Sequence, residues 1–142
     1  MSTVTYFVDN TQPLECRPNI ISLNAVEIDF TKRPCAAADV VQVMKIAKGS
    51  LVTKVSVIVK TAQGGTCTAT VGDGAGANSW DASTNLNAAA NTATYSAAGT
   101  DAYAHGKFYA AEDTIDLTLG HTTDAAIIVV TAELSVPHGL PA

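Results

Sequence analysis

The sequence predicts an all-β domain, a jelly-roll β-sandwich with an extended N-terminal arm. Three observations lead there. Apolar and polar residues alternate with period two through most patterned stretches, as a pleated strand with one buried face requires. These stretches recur at intervals of roughly eight to twelve residues, separated by Gly- and Asn-containing turns. No segment carries a convincing apolar period of an amphipathic helix. The expected division is an arm over residues 1–24, with Pro13 and Pro18, a sandwich over 25–136, and a tail over 137–142. Pro137 and Pro141 forbid further strand pairing in the tail.

Taken in order, "VEIDF" sends Val26, Ile28 and Phe30 one way and Glu27 and Asp29 the other. "LVTKVSVIVK" puts Leu51, Val55, Val57 and Val59 on one face and Lys54, Ser56, Ile58 and Lys60 on the opposite one. "TCTATVG" turns Cys67, Ala69 and Val71 inward, and "TIDLTLG" turns Ile115, Leu117 and Leu119 inward with Asp116 toward solvent. "DVVQVMKI" and "AAIIVVTAELSV" are apolar on both sides. Each reads equally as a central strand or as one whose outer face meets another subunit. The turns "AKGS", "QGG" and "LGHTTDAA" are short, so they read as hairpins. Residues 72–109 form a long excursion, with a helical turn and a strand ending near Tyr95 and another short strand before Glu112. An excursion of this size in a compact domain is usually functional or part of an interface.

Composition narrows the function. Only 15% of residues are charged, and Thr, Ala, Ser, Asn and Gly fill much of the remainder, which suits a β domain lying against other protein. Residues 1–60 carry seven Lys/Arg against five Asp/Glu, whereas residues 61–142 carry Lys107 alone against eight acids. Binding nucleic acid or an anionic membrane needs clustered cations, so neither partner is expected. Cys16, Cys35 and Cys67 are odd in number and widely spaced, which reads as free thiols from a reducing compartment with Cys67 buried. The opening "MSTVTYFVDN" has neither the basic start nor the apolar core of a signal peptide, and no apolar run is long enough to span a bilayer. A soluble protein made in a cytosol is expected.

No motif commits the chain to chemistry. "VGDGAGANSWDAS" invites a phosphate-loop reading, but no helix pattern and no Lys-Ser/Thr follow the glycines. Asp73 and Asp81 are too far apart, with no third carboxylate, for anything beyond a weak calcium site. The expected reading is a tight turn whose glycines need positive φ, with Trp80 as a lid at the sandwich edge. His105, His121 and His138 share no metal-ligand spacing. The acids of "AEDTID" lack an aromatic-lined cleft, so a glycosidase pair is not expected. Tyr95, Tyr103, Phe108 and Tyr109 are expected to pin the excursion to the core rather than form a binding patch. No catalytic, cofactor-binding or metal-binding residue is assigned, and no enzymatic activity is expected.

The block "ADVVQVMKIAKGSLVTKVSVIVKTAQGGTCTATVGDGAG" with "SAAGTDAYAHGKFYAAEDTIDLTLG" resembles capsid decoration, or cement, proteins of tailed bacteriophages, over about residues 38–134. The resemblance rests on strand and turn patterns such as "GDG…W", "AGTDAYA" and "GKFY". It implies a homotrimeric structural protein on the outside of the virion, assembled in the host cytoplasm, that bridges neighbouring major capsid proteins. On this reading the arm, residues 3–23, and the loops around Trp80 and Tyr103 make the contacts. Tyr6, Phe7, Leu14, Trp80, Tyr95, Tyr103 and Phe108 are the expected contact residues. The alternative is a head-fibre or receptor-binding module that holds host surface glycans with residues 95–109.

Overall fold

The computed structural model describes residues 22–95 and 101–135, so the tail and most of the expected arm, with Tyr6, Phe7 and Leu14, lie outside the described residues, while residues 22–24, expected in the arm, open the first strand. Nine strands make up the described chain: β1 (Ser22–Asp29), β2 (Val40–Ile46), β3 (Ser50–Thr61), β4 (Thr68–Asp73), β5 (Gly76–Asn85), β6 (Thr92–Tyr95), β7 (Lys107–Tyr109), β8 (Asp113–Leu119) and β9 (Ile127–Ser135). Two antiparallel sheets form a β-sandwich. The first has the order β1-β9-β3-β6, with β7 also on β3, and the second the order β2-β8-β4-β5. β6 and β7 pair with different halves of β3 and together act as one interrupted edge strand. The chain therefore runs between sheets as a jelly roll does, with β1, β3 and β9 in one layer and β2, β4 and β8 in the other.

That topology corrects the hairpin expectation. The connections at "AKGS", "QGG" and "LGHTTDAA" each carry the chain across to the other sheet rather than back along the same one. Among the described residues β4 and β5 are the consecutive strands that pair directly. A short gap is visible in a sequence. Which layer the next strand joins depends on which apolar faces must meet, and that is not a local property.

Alternation fills the core. Ile128, Val130, Ala132 and Leu134 of β9 and Val52, Val55, Val57 and Val59 of β3 face Ile115, Leu117 and Leu119 of β8 and Ala69 and Val71 of β4. Phe30, Cys67, Trp80 and Leu86 close the core, all fully buried. Each large side chain buried in this way stabilises the fold by about 1.5–3 kcal/mol.

Two other expectations, for Leu51 and Asp116, need correction, and the structure also places β2, β5 and β9. Leu51 was assigned to the inner face of its strand, but the register of β3 against β9 shifts between Val52 and Lys54, so Val52 points inward and Leu51 outward. The two strands that read as apolar on both sides have different places: β9 is central, between β1 and β3, and β2 is an edge. Asp116 faces away from the core yet is covered, and its Oδ1 has no hydrogen-bond partner. β5 had no counterpart in the sequence reading, because its Gly, Asn and Ser residues and two register shifts against β4 erase the alternation.

The glycines of "GDGAG" form the β4–β5 hairpin, but none has positive φ; among the described residues the glycines that do are Gly49, Gly64 and Gly106. Asp73 closes the hairpin, its Oδ1 accepting the amides of Ala75 and Gly76 at 3.0 Å each. Gly72 is needed for space: a Cβ there would run into the carbonyl oxygen of Gly76 and the backbone of Ala77. Gly72→Ala is expected to lower stability by about 1–3 kcal/mol. In urea unfolding the midpoint should fall while the slope stays constant.

Candidate docking face and the clamp behind it

At the β4–β5 end of the sandwich, five side chains from four separate parts of the chain meet. Asp73 ends β4, Trp80 lies on β5, Tyr103 belongs to the segment before β7, and Lys107 and Tyr109 are the inward residues of β7. The Trp80 indole Nε1 donates to the Tyr109 hydroxyl at 3.0 Å, and that hydroxyl donates to Asp73 Oδ2 at 2.9 Å. Lys107 Nζ donates to Asp73 Oδ2 at 2.6 Å and to the Tyr103 hydroxyl at 2.9 Å. The ammonium also lies 4.4 Å from the Tyr103 ring centroid and 4.6 Å from that of Tyr109. Trp80 and Tyr103 meet edge to face, with centroids 5.3 Å apart.

Backbone bonds complete the clamp. Tyr103 N donates to the Ser79 carbonyl at 2.9 Å, and Ala82 N donates to Asp101 Oδ1 at 3.0 Å. Gly106, at φ +94°, lets the chain pass close to the Val52 carbonyl on its way into β7. The segment thus ties the hairpin of the second sheet to an edge strand of the first.

The charges here are set for structure. Burial works to raise the Asp73 carboxyl, but the bonds from Lys107, Tyr109 and the two hairpin amides outweigh it and hold it below its ordinary value. Burial works to lower Lys107, and its bonds to Asp73 and Tyr103 more than offset this, leaving it raised. Burial, aided by Asp73, pushes the Tyr109 phenol well up. All three groups are moved away from neutrality, the opposite of what proton transfer near pH 7 requires. Both oxygens of Asp73 are taken by donors, so a calcium ion at the hairpin would have to displace Lys107. Among the described residues no three His, Cys, Asp or Glu side chains are grouped to hold a metal.

What the clamp positions is an exposed surface. Because β7 alternates, holding Lys107 and Tyr109 inward turns Phe108 out, where it is 58% exposed. Directly opposite it on β3 stands Leu51, 41% exposed. Tyr95, 49% exposed, lies opposite Ser56 further along β3, and Leu23, 68% exposed, lies opposite Glu133 on β9. Directly opposed residues in antiparallel strands share a face, so all four project from the outside of the first sheet. Half-buried Ile58 and Val129 lie between the two edges of that face.

Its charges are largely satisfied within the sheet. Lys60 pairs with Glu27 at 2.6 Å, Thr53 Oγ1 donates to Glu133 Oε1 at 2.9 Å, and Lys54 Nζ sits 3.9 Å over the Tyr95 ring. The hydroxyls of Ser56 and Thr131 bond each other. The result is an apolar and hydroxyl-lined face with little net charge to desolvate.

The structure divides the expected contact residues. It brings Tyr95 and Phe108 together on the outer face and leaves Tyr103 half-buried in the clamp. Trp80 is wholly buried, neither a lid nor a surface residue, so a partner at this end would meet its neighbours instead. The aromatic group separates accordingly: Tyr103 and Tyr109 pin the excursion, and Tyr95 and Phe108 do not. Leu51 was missed, and so was the Asp73–Lys107 pair, while Leu23 is the last residue of the arm expected to make contacts. Lys107 is the lone Lys or Arg after residue 60, which was a usable signal for a buried partner.

No protein-family model matches the sequence, and no curated protein matches it significantly. Solved structures share the fold. A chain in the acid-stable capsid structure of Helicobacter pylori bacteriophage KHP30 superposes with a TM-score of 0.62 at 16% identity, covering 84% of this chain and 90% of that one. A chain in the capsid of Ralstonia phage GP4 gives a TM-score of 0.64 at 12% identity, covering 84% and 86%. A chain of the cyanophage Pam1 capsid asymmetric unit gives 0.61 at 14% identity, covering 82% and 85%. The chain is thus a β-sandwich of a kind that recurs in phage capsid structures, alike over nearly its whole described length.

Proposed function

We propose that this protein is a virion structural subunit that binds the outer surface of a phage capsid and stabilises it by bridging neighbouring major capsid proteins. The observation that carries the reading is the likeness, over more than four-fifths of the chain, to chains in three phage capsid structures. The exposed face of Leu23, Leu51, Tyr95 and Phe108 supports it, because an apolar patch with internally paired charges suits burial against protein. A trimer sits at a three-fold position so that each copy meets a different neighbour. Many such contacts strengthen a shell without any one being tight. The N-terminal arm reaches adjacent subunits, and the protein catalyses no reaction.

The test is reconstitution on shells stripped of the protein. Saturable rebinding with a gain in heat resistance is the expected result. Shells that neither bind the protein nor gain resistance would refute the proposal. Two exposed rings, Tyr95 and Phe108, are also what a glycan-binding module would present. Binding to host surface glycans without affinity for shells would establish that second reading instead.

A further inference from the structure

The side of the sandwich away from the clamp is open. There β1 is the edge of the first sheet and β2 the edge of the second, and among the described residues no strand pairs with either outer edge. Beside the C-terminal end of β1 lies a groove of about 670 Å³, lined by Ile28, Phe30, Cys35 and Val41 together with the oppositely charged Arg33 and Asp39. Exposed edges are normally blunted by proline, a bulge or an unpaired charge. β1 has none of these. It has no proline, its register against β9 is unbroken through all eight pairs, and both of its charges are engaged, Glu27 by Lys60 and Asp29 by Lys32. An eight-residue flat edge beside an apolar groove is a template for one more strand.

We infer that the strand is residues 3–8 of a second copy of this chain, laid along the outer edge of β1 with alternate side chains in the groove. Twenty-one residues precede β1. Within them "TVTYFV" is the stretch of strand composition, β-branched and aromatic throughout, and its length suits the edge. The connecting residues 9–21 contain no glycine. Pro13 and Pro18 fix φ and bias Gln12 and Arg17 toward extended backbone. An extended connection of that length reaches about 43 Å at roughly 3.3 Å per residue, and carries the strand toward a neighbour rather than back to its own β1. Such a head-to-tail contact closes into a ring when the rotation allows. The inference needs only a second copy and does not depend on docking to a shell.

The test uses purified protein without shells. Full-length chains carrying Tyr6→Cys and others carrying Val41→Cys, both with Cys16 and Cys35 changed to Ser, are co-refolded and treated with a short thiol cross-linker. The expected product is a cross-linked pair of the two chains, reduced at least about tenfold when Thr5 and Phe7 are replaced by Pro. A Tyr6→Cys/Val41→Cys chain that links only within itself would overturn the exchange, as would no link at all. Independently, β1 amides should exchange hydrogen about tenfold more slowly in the full chain than in one lacking residues 1–9. Equal rates would likewise refute it.

Discussion

Asp73→Asn is expected to cost about 3 kcal/mol of folding stability. The Asp73 side chain is fully buried and accepts from Lys107, Tyr109 and two hairpin amides. Removing its charge leaves the Lys107 ammonium between two rings without a counter-ion. That ammonium keeps some access to water, which places the cost at the lower end of the range for a broken buried pair. Chemical unfolding measures the loss. A Lys107→Met partner variant tests its origin, because Asp73→Asn/Lys107→Met should recover part of what either change loses alone. Strictly additive costs would show that the ion pair is not what holds the cluster.

The same carboxylate sets an acid limit. Its folded-state value lies below the ordinary one, so its stabilisation is fully present above the unfolded value of about 3.9 and is lost as pH falls through the lower folded value. Wild-type stability should therefore decline below about pH 4 more steeply than that of Asp73→Asn, and the two curves should converge in acid. Parallel curves would mean that Asp73 does not report the clamp. Lys107 acts at the other extreme. Its raised value means that its contribution is complete below about 10.4, its unfolded value, and disappears as pH rises through the folded one.

The alternating strands were legible in the sequence because one buried face imposes a period of two. Cys67, Ala69 and Val71, and Ile115, Leu117 and Leu119, stand where that period put them. The layer order was not legible residue by residue: three crossings between sheets looked like hairpins, since both need only a few residues of turn. Leu51 was misplaced by a bulge, which inverts a face without altering composition. Trp80 illustrates a third limit. It sits among Gly, Asn and Ser, yet is buried because Tyr109, twenty-nine residues on, supplies the acceptor for its N–H. Tyr95 and Phe108 were expected to pin the excursion but are exposed, and Phe108 points outward because the Asp73–Lys107 pair behind β7 holds its neighbours inward.

That dependence gives the second large effect. Phe108→Asp should weaken capsid-shell binding by about a hundredfold, near 2.7 kcal/mol, as for an aromatic anchor at the centre of an interface. Leu51→Asp should act comparably, since the two residues stand directly opposite each other. Each should shift the unfolding midpoint far less than Asp73→Asn does, because both side chains lie on the exposed face and the clamp lies on the other side of β7. Ser83→Asp, exposed on β5 of the second sheet, should leave binding unchanged. Titrating stripped shells with each folded variant measures all three. Asp73→Asn completes the set: it touches no partner, yet it should weaken binding by releasing β7, and the deficit should grow with temperature toward its lowered midpoint. If Phe108→Asp and Leu51→Asp bind shells as the unaltered protein does, the first sheet's outer face is not the docking surface, whatever the affinity of the protein for the shell.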